Sequence, residues 1–278
     1  MDIETPVIFQ CGSDELIGIV HLPKEASCSS GILIVVGGPQ YRVGSHRQFV
    51  TLARDLANTG IPVMRFDYRG MGDSQGDQIS FEETEPDIKV AIDTFMLNCP
   101  GLERIVLWGL CDAASACLMA SVSDKRVKAM VLANPWVRTE AGIAKAHLKH
   151  YYTERFFEKE FWLKILKFDF NYSDSFRSIV GQIKNMLFSD EKSLPFQKKM
   201  ERALFDFTGK ILFIVSGNDL TAAEFKDLVN SSAIWKQKIQ DQNIEWHDLA
   251  DADHTFSRTQ WKTQVSDLTI KWVQQHYA

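Results

Sequence analysis

The sequence predicts an α/β fold: a mostly parallel sheet with helices on both faces. Three observations lead there. Strand and helix signals alternate along most of the chain. Several strands are unbroken aliphatic runs, as expected where both faces of a sheet are covered. Short glycine-containing loops stand where strands hand over to helices. The chain has 278 residues, 45% hydrophobic and 24% charged, enough for one sizeable core.

In chain order, Val7–Phe9 and Leu16–Leu22 read as a hairpin around the turn Cys11-Gly12-Ser13-Asp14. Gly31–Val36 is a buried strand ending at Gly37-Gly38-Pro39. From about His46 to Asn58 a helix is expected, with Phe49, Leu52, Ala53 and Leu56 on one face and Gly60 as its stop. Pro62–Phe66 is the next strand and Asp67–Ser74 a glycine-rich loop; a helix follows over Glu85–Leu97. Arg104–Trp108 is a strand, Cys111–Val122 a helix of small residues, and Lys128–Ala133 another strand. Ile211–Ser216 and Ile244–Leu249 complete a set of eight, each followed by a helix.

Between Val137 and Phe207 no buried strand stands out. Helix-like segments (Ala144–Phe157, Phe161–Leu166, Phe176–Met186, Phe196–Phe205) read instead as a helical cap over the carboxyl ends of the strands. The expected organisation is core over 1–136, cap over 137–207 and core over 208–278. The cap aromatics Tyr151, Tyr152, Phe156, Phe157, Phe161 and Trp162 either enclose an apolar acyl group or pack the cap onto the body.

Composition removes several classes of function. A net charge of -5 argues against a nucleic-acid or anionic-membrane binder. No apolar run reaches the ~18 residues of a membrane helix. The start, MDIETPVIFQ, lacks the basic-then-apolar order of a signal peptide, so a cytoplasmic protein is expected. Cys11, Cys28, Cys99, Cys111 and Cys117 are scattered and odd in number, which suggests reduced thiols and neither disulfides nor a zinc site. Phosphate-loop, dinucleotide and metallohydrolase spacings are absent, so no metal and no cofactor is expected.

The chemistry concentrates at Leu107-Trp108-Gly109-Leu110-Cys111-Asp112-Ala113-Ala114. A buried strand enters a sharp turn and a small-residue helix begins, the layout of a nucleophile elbow with cysteine at its centre. Flanking positions must be small because the nucleophile's turn is strained and crowded. The amino end of the helix behind Cys111 favours the thiolate. Downstream, one strand ends in Gly217-Asn218-Asp219 and the last in Ala250-Asp251-Ala252-Asp253-His254. Nucleophile, acid, then histidine is the chain order of this type of triad, and each falls just past a strand's carboxyl end. Asp251 and Asp253 are rival acids, read as turn-formers. Asp219 is also placed to cap the helix that follows it.

The whole chain resembles the α/β-hydrolase superfamily. Within it, Val36–Phe49, Phe66–Ser74 and the Gly109-Leu110-Cys111-Asp112-Ala113 elbow resemble the type 1 exosortase A-associated hydrolases, bacterial proteins linked to exopolysaccharide and protein-sorting systems. The cysteine resembles the Cys-His-Asp arrangement of dienelactone hydrolases and polyhydroxyalkanoate synthases. The expected fold is therefore the α/β-hydrolase fold, an eight-stranded sheet flanked by helices with a cap insertion.

Roles follow from chemistry. Cys111 is the expected nucleophile, His254 the general base and then acid, and Asp219 the group that orients the ring. The Asp112 N–H and an amide of the Gly37–Gln40 loop are expected to form the oxyanion hole; Pro39 has no N–H, leaving Gly38 or Gln40. His46 and Arg47 are placed near the pocket mouth, where Arg47 would bind an anionic substrate group. Asp67, Arg69 and Asp73 read as a structural turn. The expected activity is cleavage of an ester or thioester of a small-molecule acyl substrate through an acyl-cysteine. The alternatives are acyl transfer from the same site, or a silent binding module on the same fold.

Overall fold

The computed structural model describes residues 3–24, 29–38, 40–138 and 195–277. Its centre is an eight-stranded sheet: β1 (Ile3–Cys11), β2 (Asp14–Leu22), β3 (Ser30–Val35), β4 (Val63–Asp67), β5 (Arg104–Leu110), β6 (Val127–Ala133), β7 (Lys210–Ser216) and β8 (Ile244–Leu249). The order across the sheet is β1-β2-β4-β3-β5-β6-β7-β8, which leaves β1 and β8 as its edges. The hairpin β1–β2 is antiparallel and closes at the Cys11–Asp14 pair. Gly12 takes a φ of 63° in its two-residue turn, where glycine carries no side-chain penalty. β2 joins β4 antiparallel, and every pairing beyond is parallel.

The described helices are α1 (Gln48–Asn58), α2 (Glu85–Asn98), α3 (Asp112–Ala120), α4 (Phe196–Asp206), α5 (Leu220–Ser231), α6 (Ala233–Lys238) and α7 (Thr259–Tyr277). Alternation along the buried strands divides the core in two. On β3, Ile32 and Ile34 face a cluster with Phe49, Leu52 and Leu56 of α1 and Trp272 and Val273 of α7. Leu33 and Val35 face the other way, toward Ile88 and Phe95 of α2 and Leu118 of α3. β7 repeats the pattern, with Leu212 and Ile214 on the first side and Phe213 and Val215 on the second. A side-chain period of two on an aliphatic strand thus serves both layers of helices.

Met1–Val137 and Phe196–Ala278 cluster as one compact body. The helix α4, which the sequence reading put inside the cap, belongs to this body. Its Met200 and Leu204 are buried in the same cluster as α3, and Gln197 Nε2 donates to the Val137 carbonyl at 2.8 Å. The rest of the expected cap, including its aromatic residues, lies outside the described residues, as does Cys28. Cys11, Cys99 and Cys117 are buried, and burial pushes the Cys11 and Cys117 thiols up. Among the described residues no helix is long and apolar enough to cross a membrane.

Candidate active site

The site is assembled at the carboxyl edge of the parallel strands. β5 ends at Leu110 and α3 begins at Asp112, so Cys111 is the single residue of the turn. Its φ of 63° and ψ of -126° lie where a residue with a side chain is strained. Neighbouring backbone holds it there. Cys111 N–H donates to the Ala133 carbonyl of β6 at 2.9 Å, and the Cys111 carbonyl accepts from Ala114 at 3.0 Å and from Trp136 at 3.1 Å. A Cβ at Gly109 would lie 2.6 Å from the Ala113 carbonyl, which explains the small residues flanking the nucleophile. Gly109→Ala is therefore expected to destabilise the protein by about 2 kcal/mol or more, read by denaturant unfolding, with loss of Cys111 reactivity.

Asp219 and His254 meet across two stitched loops. Gly217 N–H donates to the Leu249 carbonyl at 2.9 Å and Asn218 N–H to the Ala252 carbonyl at 3.0 Å. His254 Nδ1 lies 2.8 Å from Asp219 Oδ2, and the Cys111 side chain is near enough to the ring to raise its pKa. The influence of Asp219 first and of Cys111 second outweighs burial and pushes His254 up to about 10. Burial opposes ionisation of Asp219, but the His254 bond and charge and the Thr221 and Ala222 N–H groups hold its carboxyl below the usual range. Asp219 also caps α5, with Oδ1 accepting from Thr221 N–H at 3.2 Å and Oδ2 from Ala222 N–H at 3.0 Å.

The rival acids do other work. Asp253 accepts from the backbone N–H of Ser257 at 2.9 Å and from its hydroxyl, and so shapes the turn, while Asp251 is exposed. Asp67 is fully buried and accepts from Arg42 N–H at 2.5 Å and from Asp73 N–H at 3.2 Å, and it pairs with the Arg42 guanidinium. Arg69 pairs with the buried Asp87 at 2.8 Å. These three loop residues are structural, as the sequence suggested.

One of the amides expected to form the oxyanion hole has a partner. Gly38 N–H donates to Asp112 Oδ2 at 2.9 Å, and Asp112 Oδ1 accepts from Ala113 N–H at 3.0 Å. The Asp112 carboxylate thus sits at the start of α3, in the environment an anion prefers. Burial raises it all the same. A Cβ on Gly37 would collide with this carboxylate. The Gly38 amide is therefore already engaged. Gln40 belongs to the same loop, and its Oε1 accepts from Ser45 N–H at 3.1 Å.

His46 and Arg47 are exposed and adopt left-handed φ values of 52° and 59° just before α1. His46 stands close enough to the histidine loop for its charge to act on Asp253. Among the described residues, neither side chain hydrogen-bonds a triad member. Two residues that the sequence reading passed over, Asn134 and Ser216, lie directly beneath the site. Asn134 Nδ2 donates to Ser216 Oγ at 2.8 Å and to the His254 carbonyl at 3.0 Å. Their only signal in the sequence is position, at the ends of two buried strands. No group of acidic, cysteine or histidine side chains suited to a metal occurs among the described residues.

The architecture is the α/β-hydrolase fold. A family described as "Serine aminopeptidase, S33" matches residues 31–167, just under half of the 278-residue chain. That family is named for a serine enzyme, whereas the elbow here holds Cys111. Solved structures share the fold at low identity. An esterase of Pyrococcus furiosus is 14% identical, covers 99% of this chain and 91% of its own, and has a TM-score of 0.67. Est1E of Butyrivibrio proteoclasticus, solved with ferulic acid, is 14% identical with coverage of 97% and 98% and a TM-score of 0.63. An alpha-beta serine hydrolase homologue from Coxiella burnetii is 16% identical, with coverage of 97% for both chains and a TM-score of 0.60. No curated protein sequence matches the chain.

Proposed function

We propose that the protein cleaves an ester or thioester of a small acyl substrate through a Cys111–His254–Asp219 triad. What supports this reading is the strained Cys111 turn at the end of β5, with a His254 ring held 2.8 Å from Asp219 Oδ2 and its pKa raised by both Asp219 and Cys111. His254 takes the thiol proton, and the Cys111 thiolate attacks the acyl carbon. The tetrahedral oxyanion collapses, the bond to the leaving group breaks, and His254 returns its proton to that group. Water, deprotonated by His254, then attacks the acyl-cysteine and releases the acid. Asp219 keeps Nδ1 of the ring as donor and stabilises the imidazolium. The Asp112 N–H is one proposed oxyanion donor. Gln40 is the other, because Gly38 is bound to the Asp112 side chain.

The setting implied by the three motifs, exopolysaccharide and protein-sorting systems, makes acylated saccharides the first substrates to try, with action in the cytoplasm. Incubation with acyl p-nitrophenyl esters and acyl thioesters, followed by intact-mass and peptide analysis, tests the proposal. An acyl adduct confined to Cys111 is expected, and turnover without any Cys111 adduct would refute it. Product analysis with sugar acceptors present separates hydrolysis from transfer.

A pH dependence follows. The group that takes the thiol proton is His254, and its value is pushed up to about 10, so acylation is expected to rise with pH toward 10. The folded-state value lies above the ordinary 6.5, so the pair's contribution to stability is complete below pH 6.5 and lost as pH rises toward 10. Thermal unfolding across this range, compared between wild type and Asp219→Asn, checks the sign: the gap between the two narrows at high pH.

A further inference from the structure

We infer that Asn134 is a positioning residue that holds the three triad loops in register. The inference rests on the triad reading above but concerns a different group. Asn134 stands at the carboxyl end of β6, fully buried, with a φ of 43° that asparagine tolerates better than most residues. Every polar atom of its amide is used. Oδ1 accepts the Ser216 N–H at 2.8 Å, and Nδ2 sends its two protons to Ser216 Oγ at 2.8 Å and the His254 carbonyl at 3.0 Å. The Ser216 hydroxyl passes the connection on, donating to the Asp253 carbonyl at 2.9 Å.

These bonds reach the His254 loop directly and the Asp219 loop through Ser216. Ser216 is the last residue of β7, three positions before Asp219, and Asp253 and His254 are the histidine loop itself. The nucleophile is held by the same short segment. The Ala133 carbonyl accepts the Cys111 N–H at 2.9 Å, and Trp136 N–H donates to the Cys111 carbonyl at 3.1 Å. Ser115, one turn into α3, fastens the segment by donating to the Trp136 carbonyl at 2.6 Å. Residues 133–136 therefore touch the elbow through backbone and the other two loops through one buried amide. A buried amide of this kind has no water to replace a lost partner, so its removal lets the histidine loop shift. The ionisable groups acting on the His254 ring are Cys111 and Asp219, with Asp112 close enough for their charges to interact.

The test compares wild type with Asn134→Ala, Asn134→Asp and the milder Ser216→Ala. The first readout is the His254 imidazole titration by NMR, which needs no substrate. The wild-type midpoint is expected near 10, and Asn134→Ala is expected to lower it by at least one unit as the Asp219 and Cys111 contacts loosen. The second is acylation of Cys111, expected to slow by about 100-fold with little change in KM. Asn134→Asp keeps the acceptor for the Ser216 N–H but sets an anion against the His254 carbonyl, and should behave like the alanine variant. Ser216→Ala covers the case in which both fail to fold, and is expected to shift the titration in the same direction by less. Folded variants with a wild-type His254 titration would overturn the inference, as would an unchanged acylation rate. A wild type that forms no acyl adduct overturns the catalytic reading alone, and the titration still decides the role of Asn134.

Discussion

Cys111→Gly is expected to yield a protein that is more stable than wild type and unable to form an acyl adduct. The φ of 63° and ψ of -126° at Cys111 cost a residue with a side chain about 1–3 kcal/mol. Glycine removes that cost and returns part of it as extra freedom of the unfolded chain, about 0.5–1 kcal/mol. A net gain of about 1 kcal/mol would raise Tm by roughly 2 °C in a domain of this size. The same change removes the thiol, so acylation should fall by about 10^4-fold or more. Thermal scanning beside intact-mass labelling measures both. A lower Tm would mean that the turn is not strained, and undiminished labelling would move the nucleophile elsewhere.

Asp219→Asn and Asp219→Ala are expected to have equal effects on catalysis and unequal effects on stability. Asp219 Oδ2 bonds the His254 ring, and Oδ1 and Oδ2 together cap α5. Asparagine is a good cap but removes the charge that stabilises the imidazolium, so the rate should drop about 10^4-fold while the helix start survives. Alanine removes the cap as well and should cost about a further 1 kcal/mol. In both variants His254 should titrate well below its wild-type value of about 10. A rate loss that followed stability across the two variants would reduce Asp219 to a capping residue.

Much of this architecture can be read from the chain because its signals are local. β3 and β7 are continuous apolar runs, the elbow is bracketed by small residues, and Cys111, Asp219 and His254 each follow the carboxyl end of a strand. The interactions that cross the site are not local and leave little trace. Nothing in Gly37-Gly38 foretells that an Asp112 carboxylate takes the Gly38 N–H, since the partners are 74 positions apart. Asn134 reaches His254 across 120 positions. The left-handed pair His46 and Arg47 is also silent in sequence, because two adjacent non-glycine residues seldom share that conformation. α4 was misplaced for a related reason: its amphipathic pattern fits a cap or a body equally, and only the packing of Met200 and Leu204 decides.

The open edge at β8 carries a further consequence. An unpaired strand margin invites another chain to add on. Here that margin runs straight into the histidine loop, so any such addition would pull on the ring that serves the thiol. β8 presents Glu245, His247 and Asp248 along its length, and Lys226 pairs with Asp248 at 2.7 Å. Charges of this kind discourage intermolecular strand pairing, and what they protect from self-association is the geometry of the His254 loop.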